Sequence, residues 1–144
     1  MNSSNFDPWE HLPPGLTIER VPLEHCPGYT LDDTIWLDDS LTHVEQRCTL
    51  THELVHHARG HSGHQKAGVE RKVRYETALL LLPTIDYHEP DLPVWFMAEE
   101  YGVTEAVMRD RLKIEQHRHK QQTRKTQAGT NHRDADNPQN QKEQ

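Results

Sequence analysis

The stretch that decides how this chain is organised is Thr49-Leu50-Thr51-His52-Glu53-Leu54-Val55-His56-His57, which contains the pattern His-Glu-x-x-His. On an α-helix, His52 and His56 stand one turn apart on the same face, so both imidazoles can point at a single metal ion. Glu53 lies about a quarter-turn round from His52, where its carboxylate reaches a water molecule on the metal rather than the metal itself. The stretch therefore predicts a helix that carries two metal ligands and a general base.

The flanking residues predict where this helix begins and ends and how deeply it is buried. Ser40 or Thr42 can cap its start, Glu45 completes a capping box with Thr42, and Arg59-Gly60 marks its end. A helix that is apolar on two sides is buried. This context favours a metal site over a coincidence on a solvated helix, which the 12 histidines of the chain would otherwise allow. The two apolar stripes are Leu41, Val44, Cys48 and Val55 on one side and Leu50 and Leu54 on another.

The remaining patterns predict an α+β fold, with a short N-terminal sheet before the central helix and three helices after it. Residues 16–23 alternate apolar and polar side chains and predict an edge strand that breaks at Pro22, residues 25–29 indicate a turn, and residues 34–37 predict a second strand. Three later helices are expected. The first spans residues 69–82 and is expected to face inward with Val73, Thr77, Leu80 and Leu81. The second runs from a cap at Asp91 to Gly102, and the third runs from a cap at Thr104 to Ile114. The last two resemble a helix-turn-helix in outline, but they are expected to complete the core.

Composition divides the chain into an irregular lead-in over residues 1–15, one domain over residues 16–116, and a polar, basic tail over residues 117–144 that is expected to be disordered.

The formal net charge is −7. Residues 1–116 contain 20 acidic side chains against 10 Lys/Arg, whereas residues 117–144 contain 3 against 6. An acidic body disfavours nucleic-acid binding. A DNA-binding regulator that uses residues 91–114 is therefore the weakest of the functions considered, and no direct nucleic-acid partner is expected.

Hydropathy and cysteine content indicate a cytoplasmic protein. No run of 18 or more apolar residues occurs, so no membrane span is expected, and the N-terminus has neither the basic nor the apolar part of a signal peptide. Two cysteines, Cys26 and Cys48, are too few for a disulfide framework. Cys48 is expected to be a buried packing residue rather than a neighbour of the metal.

A catalytic zinc ion takes three protein ligands and a water molecule, so one ligand must come from outside His-Glu-x-x-His. The candidates are Glu70, Glu76, His57, His61, His64, Asp86 and His88. His57 points about 100° away from His56 on a helix and cannot share its metal. The longer pattern His-Glu-x-x-His-x-x-Gly-x-x-His would need glycine at residue 59 and histidine at residue 62, where Arg59 and Ser62 stand. A glutamate from a separate helix is the alternative.

The segment from Arg47 to His56, followed by Glu70-Arg71-Lys72-Val73 and closed by Leu80-Leu81-Leu82-Pro83, resembles the ImmA/IrrE family of small metallopeptidases. In that family a glutamate opens the helix thirteen residues before the proline of a Leu-Leu-x-Pro-like sequence, and Glu70 stands at this position. Residues 98–104 and 109–112 look like the closing segment of the family. The resemblance covers roughly residues 30–114.

This resemblance implies a small zincin-like domain with a gluzincin-like site, in which His52, His56 and Glu70 hold Zn²⁺ and Glu53 activates a water molecule. Glu76 stays the second candidate for the third ligand. The implied substrate is a protein, a helix-turn-helix repressor that controls a prophage or mobile element in a bacterial host. The alternative is a catalytically silent module of the same fold that binds and sequesters a repressor.

Two further expectations concern how a substrate is held during hydrolysis. The tetrahedral oxyanion needs a hydrogen-bond donor, for which Tyr75, His57 and His88 are candidates. An extended substrate could pair with the strand at residues 34–37, if that strand offers a free edge.

Overall fold

The computed structural model describes residues 5–86 and 92–133, with side chains through Gly129. The chain divides after Leu112 into two units. Among the described residues, the first unit contains three strands, three α-helices and the start of a fourth, which confirms the predicted α+β class. In chain order, the elements after a short 3₁₀ turn at Pro8–His11 are β1 (Thr17–Val21), β2 (Gly28–Leu31), β3 (Thr34–Asp38), α1 (His43–Ala58), α2 (Ala67–Leu81), α3 (Val94–Tyr101) and α4 (Glu105–Arg133).

The sheet has three strands in the order β1-β3-β2, with β1 parallel and β2 antiparallel to β3. The edge strand expected in residues 16–23 is confirmed as β1. The turn expected at residues 25–29 is wrong at its end, because β2 begins at Gly28 and pairs with β3 from Gly28↔Leu37 to Leu31↔Thr34. The expectation of a free edge on residues 34–37 is also wrong. As the middle strand, β3 has its backbone groups paired on both sides.

Helix α1 has the predicted start and end, and it lies between two hydrophobic clusters. Its capping box is formed, because the Glu45 amide donates to Thr42 Oγ1 at 3.2 Å and the Thr42 amide donates to Glu45 Oε1 at 3.1 Å. Leu50 packs with Ile35 and Leu37 of the sheet. On another side, Cys48 packs in a separate cluster, as expected for a buried packing residue. That second cluster contains Leu81, Leu82, Met97, Ala98, Tyr101, Val103 and Met108.

The later helices complete the second cluster. Helix α3 ends at Gly102, whose left-handed φ of 69° is a conformation that glycine adopts without strain. The predicted cap at Thr104 is confirmed, because its Oγ1 accepts from the Val107 amide at 3.3 Å. Asp91, the expected cap of α3, lies outside the described residues. Leu80, expected to face inward on α2, is 39% exposed, and Ala78 is buried in addition to the other predicted positions of that helix.

Residues 117–133 differ from the disordered tail that their composition predicts, because α4 continues through Arg133. From residue 113 to 128 the chain has no glycine or proline and is rich in Lys, Arg and Gln, which favour helix. Apolar residues are nearly absent there, so this helix has no apolar face to bury. The domain boundaries at residues 16–116 and 117–144 stay predictions. Within the part of the chain that the structure describes, no helix combines the length and apolar character needed to cross a membrane.

The end of α2 is held by Arg111, which is only 1% exposed. Its Nε donates to Leu82 O at 2.6 Å and its Nη2 donates to Pro83 O at 3.1 Å. These carbonyls follow the last turn of α2, where helical partners are no longer available. The buried guanidinium therefore attaches α4 to the helix that carries Glu70.

We expect Arg111→Ala to destabilise the protein by about 3 kcal/mol, because it leaves the carbonyl of the buried Leu82 without this donor and opens a cavity. Urea unfolding followed by circular dichroism measures this loss. The matched control is Arg109→Ala, two residues earlier, which removes an exposed ion pair with Glu105 at 2.9 Å and should change stability by less than about 0.5 kcal/mol. Equal effects of the two substitutions would contradict the assignment.

Candidate metal centre

Three side chains from two helices converge on one point. His52 and His56, on α1, direct Nε2 towards Glu70 of α2, and the distances from these nitrogens to Glu70 Oε2 are 3.4 Å and 3.2 Å. One candidate ligand atom from each residue lies within 4.8 Å of the other two. Glu70 reaches this point because it lies in the first turn of α2.

The spacing of these atoms fits a small tetrahedral metal ion. Bonds of about 2.0–2.1 Å at tetrahedral angles place two ligand atoms roughly 3.3 Å apart. The distances between Glu70 Oε2 and the two imidazole nitrogens lie on either side of that value. Two imidazoles and one carboxylate are also a donor set that zinc accepts, with the fourth position left for water.

The protonation of the histidines favours metal binding. Burial lowers the pKa of His52, and the neighbouring His56 imidazole lowers it further, while Glu70 acts in the opposite direction. Burial likewise lowers the pKa of His56 against the effect of Glu70. Neutral imidazoles keep a lone pair on nitrogen, and only that form coordinates a metal.

Glu53 lies beside this group and is held by a strand that the sequence did not predict. It is 7% exposed, and the hydroxyl of Thr30 on β2 donates to its Oε2 at 2.6 Å. Burial raises the pKa of Glu53 to about 7, although the bond from Thr30 lowers it. A carboxyl group that titrates near neutrality is suited to take up and release a proton.

Strand β2 approaches Glu53 closely because Gly28 has no side chain. A Cβ atom at this position would lie 2.6 Å from Thr49 Cγ2 and 3.1 Å from Glu53 Cγ. Any larger residue would push the strand away from α1. Gly28 therefore allows the contact between Thr30 and Glu53.

These groups line one cleft of about 440 Å³. Arg74, one turn after Glu70 on α2, and His64, from the loop before α2, also line it. Arg74 pairs with Asp110 of α4 at 3.4 Å. Apolar parts of its lining include Leu41, Cys48, Ala106 and Val107.

The other candidates for a third ligand point elsewhere. Glu76 accepts a hydrogen bond from Arg59 Nε at 2.6 Å, and its helix turns it away from the histidines. His57 Nε2 lies 3.2 Å from Asp33 Oδ1, in agreement with the expected 100° offset. The group of three does not include Asp86, and His88 lies outside the described residues.

The two histidines of the following loop are near the site without joining the three ligand atoms. His64 packs edge-on against Tyr29, with ring centroids 5.3 Å apart. His61 places its Nδ1 3.1 Å from Nδ1 of His56, which is the nitrogen of His56 that faces away from Glu70. Of the proposed oxyanion donors, Tyr75 and His57 do not line the cleft, and His88 lies outside the described residues.

Sequence reasoning missed the contribution of β2. Tyr29 and Thr30 favour a β-strand. The preceding Pro27-Gly28, however, is typical of a turn, and the segment was therefore interpreted as one. Arg74 was also missed, although it lies four residues after Glu70 and therefore on the same helix face.

Comparison with known protein families gives a match to the model of the IrrE N-terminal-like domain, Peptidase_M78, over residues 16–113, more than half of the chain. The searches among curated proteins and among solved structures return no match. The matched span includes the His-Glu-x-x-His stretch and Glu70.

The raised pKa of Glu53 predicts how the stability of the metal-free protein depends on pH. The folded state binds this proton more tightly than the unfolded chain, whose ordinary value is 4.5. The contribution to stability is therefore complete below about pH 4.5 and is lost as the pH rises through about 7. Glu53→Gln cannot ionise, so we expect it to be more stable than the wild type at pH 8, by on the order of 1–3 kcal/mol, and similar to it near pH 5.

Urea unfolding of chelator-treated protein at the two pH values measures this difference. Glu76→Gln, which changes a carboxylate that pairs with Arg59 outside the cleft, serves as the control for the loss of a carboxylate as such. A Glu53→Gln difference that is the same at pH 5 and pH 8 would exclude a buried, uncharged carboxyl as its cause.

Proposed function

The chain belongs to the family of the IrrE N-terminal-like domain, Peptidase_M78, and from that premise we propose that it is a zinc-dependent endopeptidase. The family supports a metallopeptidase-type function that acts on protein. In our proposal His52, His56 and Glu70 hold the zinc ion, and Glu53 is the catalytic base.

The observation that carries this proposal is the spacing of the three ligand atoms. The Nε2 atoms of His52 and His56 lie 3.4 Å and 3.2 Å from Glu70 Oε2. One candidate ligand atom from each of the three side chains lies within 4.8 Å of the other two, which is close enough for all three to bind a single zinc ion. The partial burial of the cluster also makes such an arrangement unfavourable unless a cation compensates for desolvation.

The proposed chemistry divides between the ion and Glu53. A zinc ion held by His52, His56 and Glu70 would polarise the carbonyl of a peptide bond and lower the pKa of a water molecule. Glu53 would take a proton from that water as the water oxygen adds to the carbonyl carbon, and would give the proton to the amide nitrogen as the carbon–nitrogen bond breaks. Because Oε2 of Glu53 accepts a hydrogen bond from Thr30, we assign the binding and release of the proton to Oε1.

The oxyanion that forms at the substrate carbonyl needs a donor beyond the metal ligands. We assign this role to Arg74 in place of Tyr75, His57 and His88. Its support is that Arg74 lines the cleft and shares a helix face with Glu70.

An extended substrate would pair with the outer edge of β2 at Gly28 rather than with β3. Pro27 O accepts from Asp38 N on the side of β3, whereas Thr30 O accepts from Gly63 N at 2.9 Å on the other side. Since strand residues alternate between the two sides, Gly28 directs its backbone groups to the outer edge. A peptide paired there would pass along the cleft and beside Glu53.

We further propose that the substrate is a helix-turn-helix repressor of a prophage or mobile element and that the reaction takes place in the bacterial cytoplasm. The acidic balance of residues 1–116 complements a basic DNA-binding protein. The alternative function, a silent module that sequesters the repressor, uses the same complementarity but does not need Glu53.

Two variants test the proposal and separate it from the alternative. Zinc content is measured by mass spectrometry, and hydrolysis is measured on a purified helix-turn-helix repressor and on a library of unrelated peptides. His52→Ala is expected to lose both the bound zinc and hydrolysis. Glu53→Gln is expected to keep about one zinc per chain and to lose hydrolysis by at least about 100-fold.

Full hydrolysis by Glu53→Gln would refute the mechanism. Relief of repression by Glu53→Gln without any cleavage would support the sequestering module instead. A wild-type protein that binds no zinc at micromolar concentration would refute the metal site itself.

Thr30→Val tests the positioning of Glu53. Valine keeps the shape of threonine but cannot donate to Oε2, so we expect kcat to fall about 10-fold while the zinc content stays at one per chain. Thr34→Val, a threonine of β3 that does not line the cleft, is the control and should retain full kcat. Unchanged kcat in Thr30→Val would show that the carboxylate is oriented by other contacts.

A further inference from the structure

The second ring nitrogen of His56 has a partner of its own. While Nε2 faces Glu70, Nδ1 lies 3.1 Å from Nδ1 of His61, and the two ring centroids are 5.3 Å apart. His56 is 5% exposed, and its contact with the half-buried His61 is partly shielded from water. When Nε2 keeps its lone pair for a metal, the proton of the neutral ring is on Nδ1 and is donated to His61 Nδ1.

The backbone at the end of α1 places His61 over His56. Gly60 has a left-handed φ of 72°, its amide donates to His57 O at 3.0 Å, and the His61 amide donates to His56 O at 2.9 Å. This pair of hydrogen bonds is the Schellman motif, in which the second residue after the cap is brought against the third-last residue of the helix. These two positions are His61 and His56, and an imidazole pair replaces the usual apolar contact.

We propose that His61 is a positioning residue for the metal ligand His56. It accepts the Nδ1–H of His56, fixes the tautomer that leaves Nε2 free, and holds the plane of the ring towards Glu70. This inference rests on the proposed role of His56 as a zinc ligand, which it deepens. Partners of this kind contribute 10- to 100-fold to metal affinity in other sites, because they orient the ligand and increase its basicity.

The motif also explains the offset of five residues between the two histidines. A histidine that served as a third ligand would have to reach the Nε2 side of His56, where Glu70 already lies. The turn at Gly60 directs His61 to the opposite nitrogen. The local sequence His-x-x-x-Gly-His therefore encodes both a ligand and its support.

Zinc affinity of the full-length protein, measured by competition with a chromogenic chelator, tests the proposal without reference to activity. We expect His61→Ala to bind zinc about 10- to 100-fold more weakly than the wild type. His61→Asn places Oδ1 where Nδ1 was and should restore affinity to within about threefold. His57→Ala, whose imidazole faces Asp33, is the matched control and should bind zinc as the wild type does.

A second readout reports the hydrogen bond itself. In the zinc-loaded wild type, long-range ¹H–¹⁵N spectra should show coordination of His56 through Nε2 and a slowly exchanging proton on Nδ1. His61→Ala should lose the slow exchange, whereas His57→Ala should keep it. If His61→Ala fails to fold, His61→Leu, which fills the space but accepts no hydrogen bond, takes its place against His61→Asn.

The proposal is overturned if His61→Ala and His61→Leu bind zinc with wild-type affinity, or if the His56 Nδ1 proton exchanges rapidly in the wild type. Absence of zinc binding by the wild type is a different result, because it removes the proposed metal site. Zinc binding that is lost in His52→Ala but unchanged in both His61 variants would retain the metal site and reject only the role of His61.

Discussion

The burial of α1 between a sheet and a group of helices is the constraint on which the rest of the structure depends. Leu50 faces the strands, and Cys48 faces the cluster built by α2, α3 and α4. Only one face of the helix remains for the cleft, and that face carries His52, Glu53 and His56. Because polar groups at such depth are unfavourable without partners, each of these three side chains has to be matched by a group from another element.

The partners come from both flanks of α1, which is why the site needs the whole fold. From the sheet side, β2 supplies Thr30 to Glu53, and the absence of a side chain at Gly28 permits the approach. From the helical side, α2 supplies Glu70 to the histidines. The end of α2 is in turn held by Arg111, so a residue far along the chain contributes to the placement of the Glu70 carboxylate.

The sequence predicted those features that are encoded locally. The capping box at Thr42, the helical spacing of the histidines and the stop at Gly60 each depend on a few neighbouring residues, and the structure agrees with all of them. The convergence of Glu70 with the histidines joins residues fourteen or more positions apart, and family resemblance rather than spacing nominated it over Glu76. Strand β2 was missed because a four-residue strand gains its stability from pairing with β3, which the local pattern does not show. The helical continuation of α4 was missed because a polar composition alone does not distinguish a solvated helix from a coil.

The arrangement of charge in the cleft links folding to metal binding. Without a cation, burial raises the pKa of Glu53 to about 7 and lowers the pKa of both imidazoles. The metal-free site therefore carries a desolvation cost. The hydrogen bonds from Thr30 and between the imidazoles of His56 and His61 offset it only in part. A divalent cation at the point shared by the three ligand atoms would stabilise the charged forms of both carboxylates at once. The polar groups whose burial lowers the stability of the metal-free protein are therefore the groups that would bind the ion. If the ion binds only to the folded state, its binding stabilises that state.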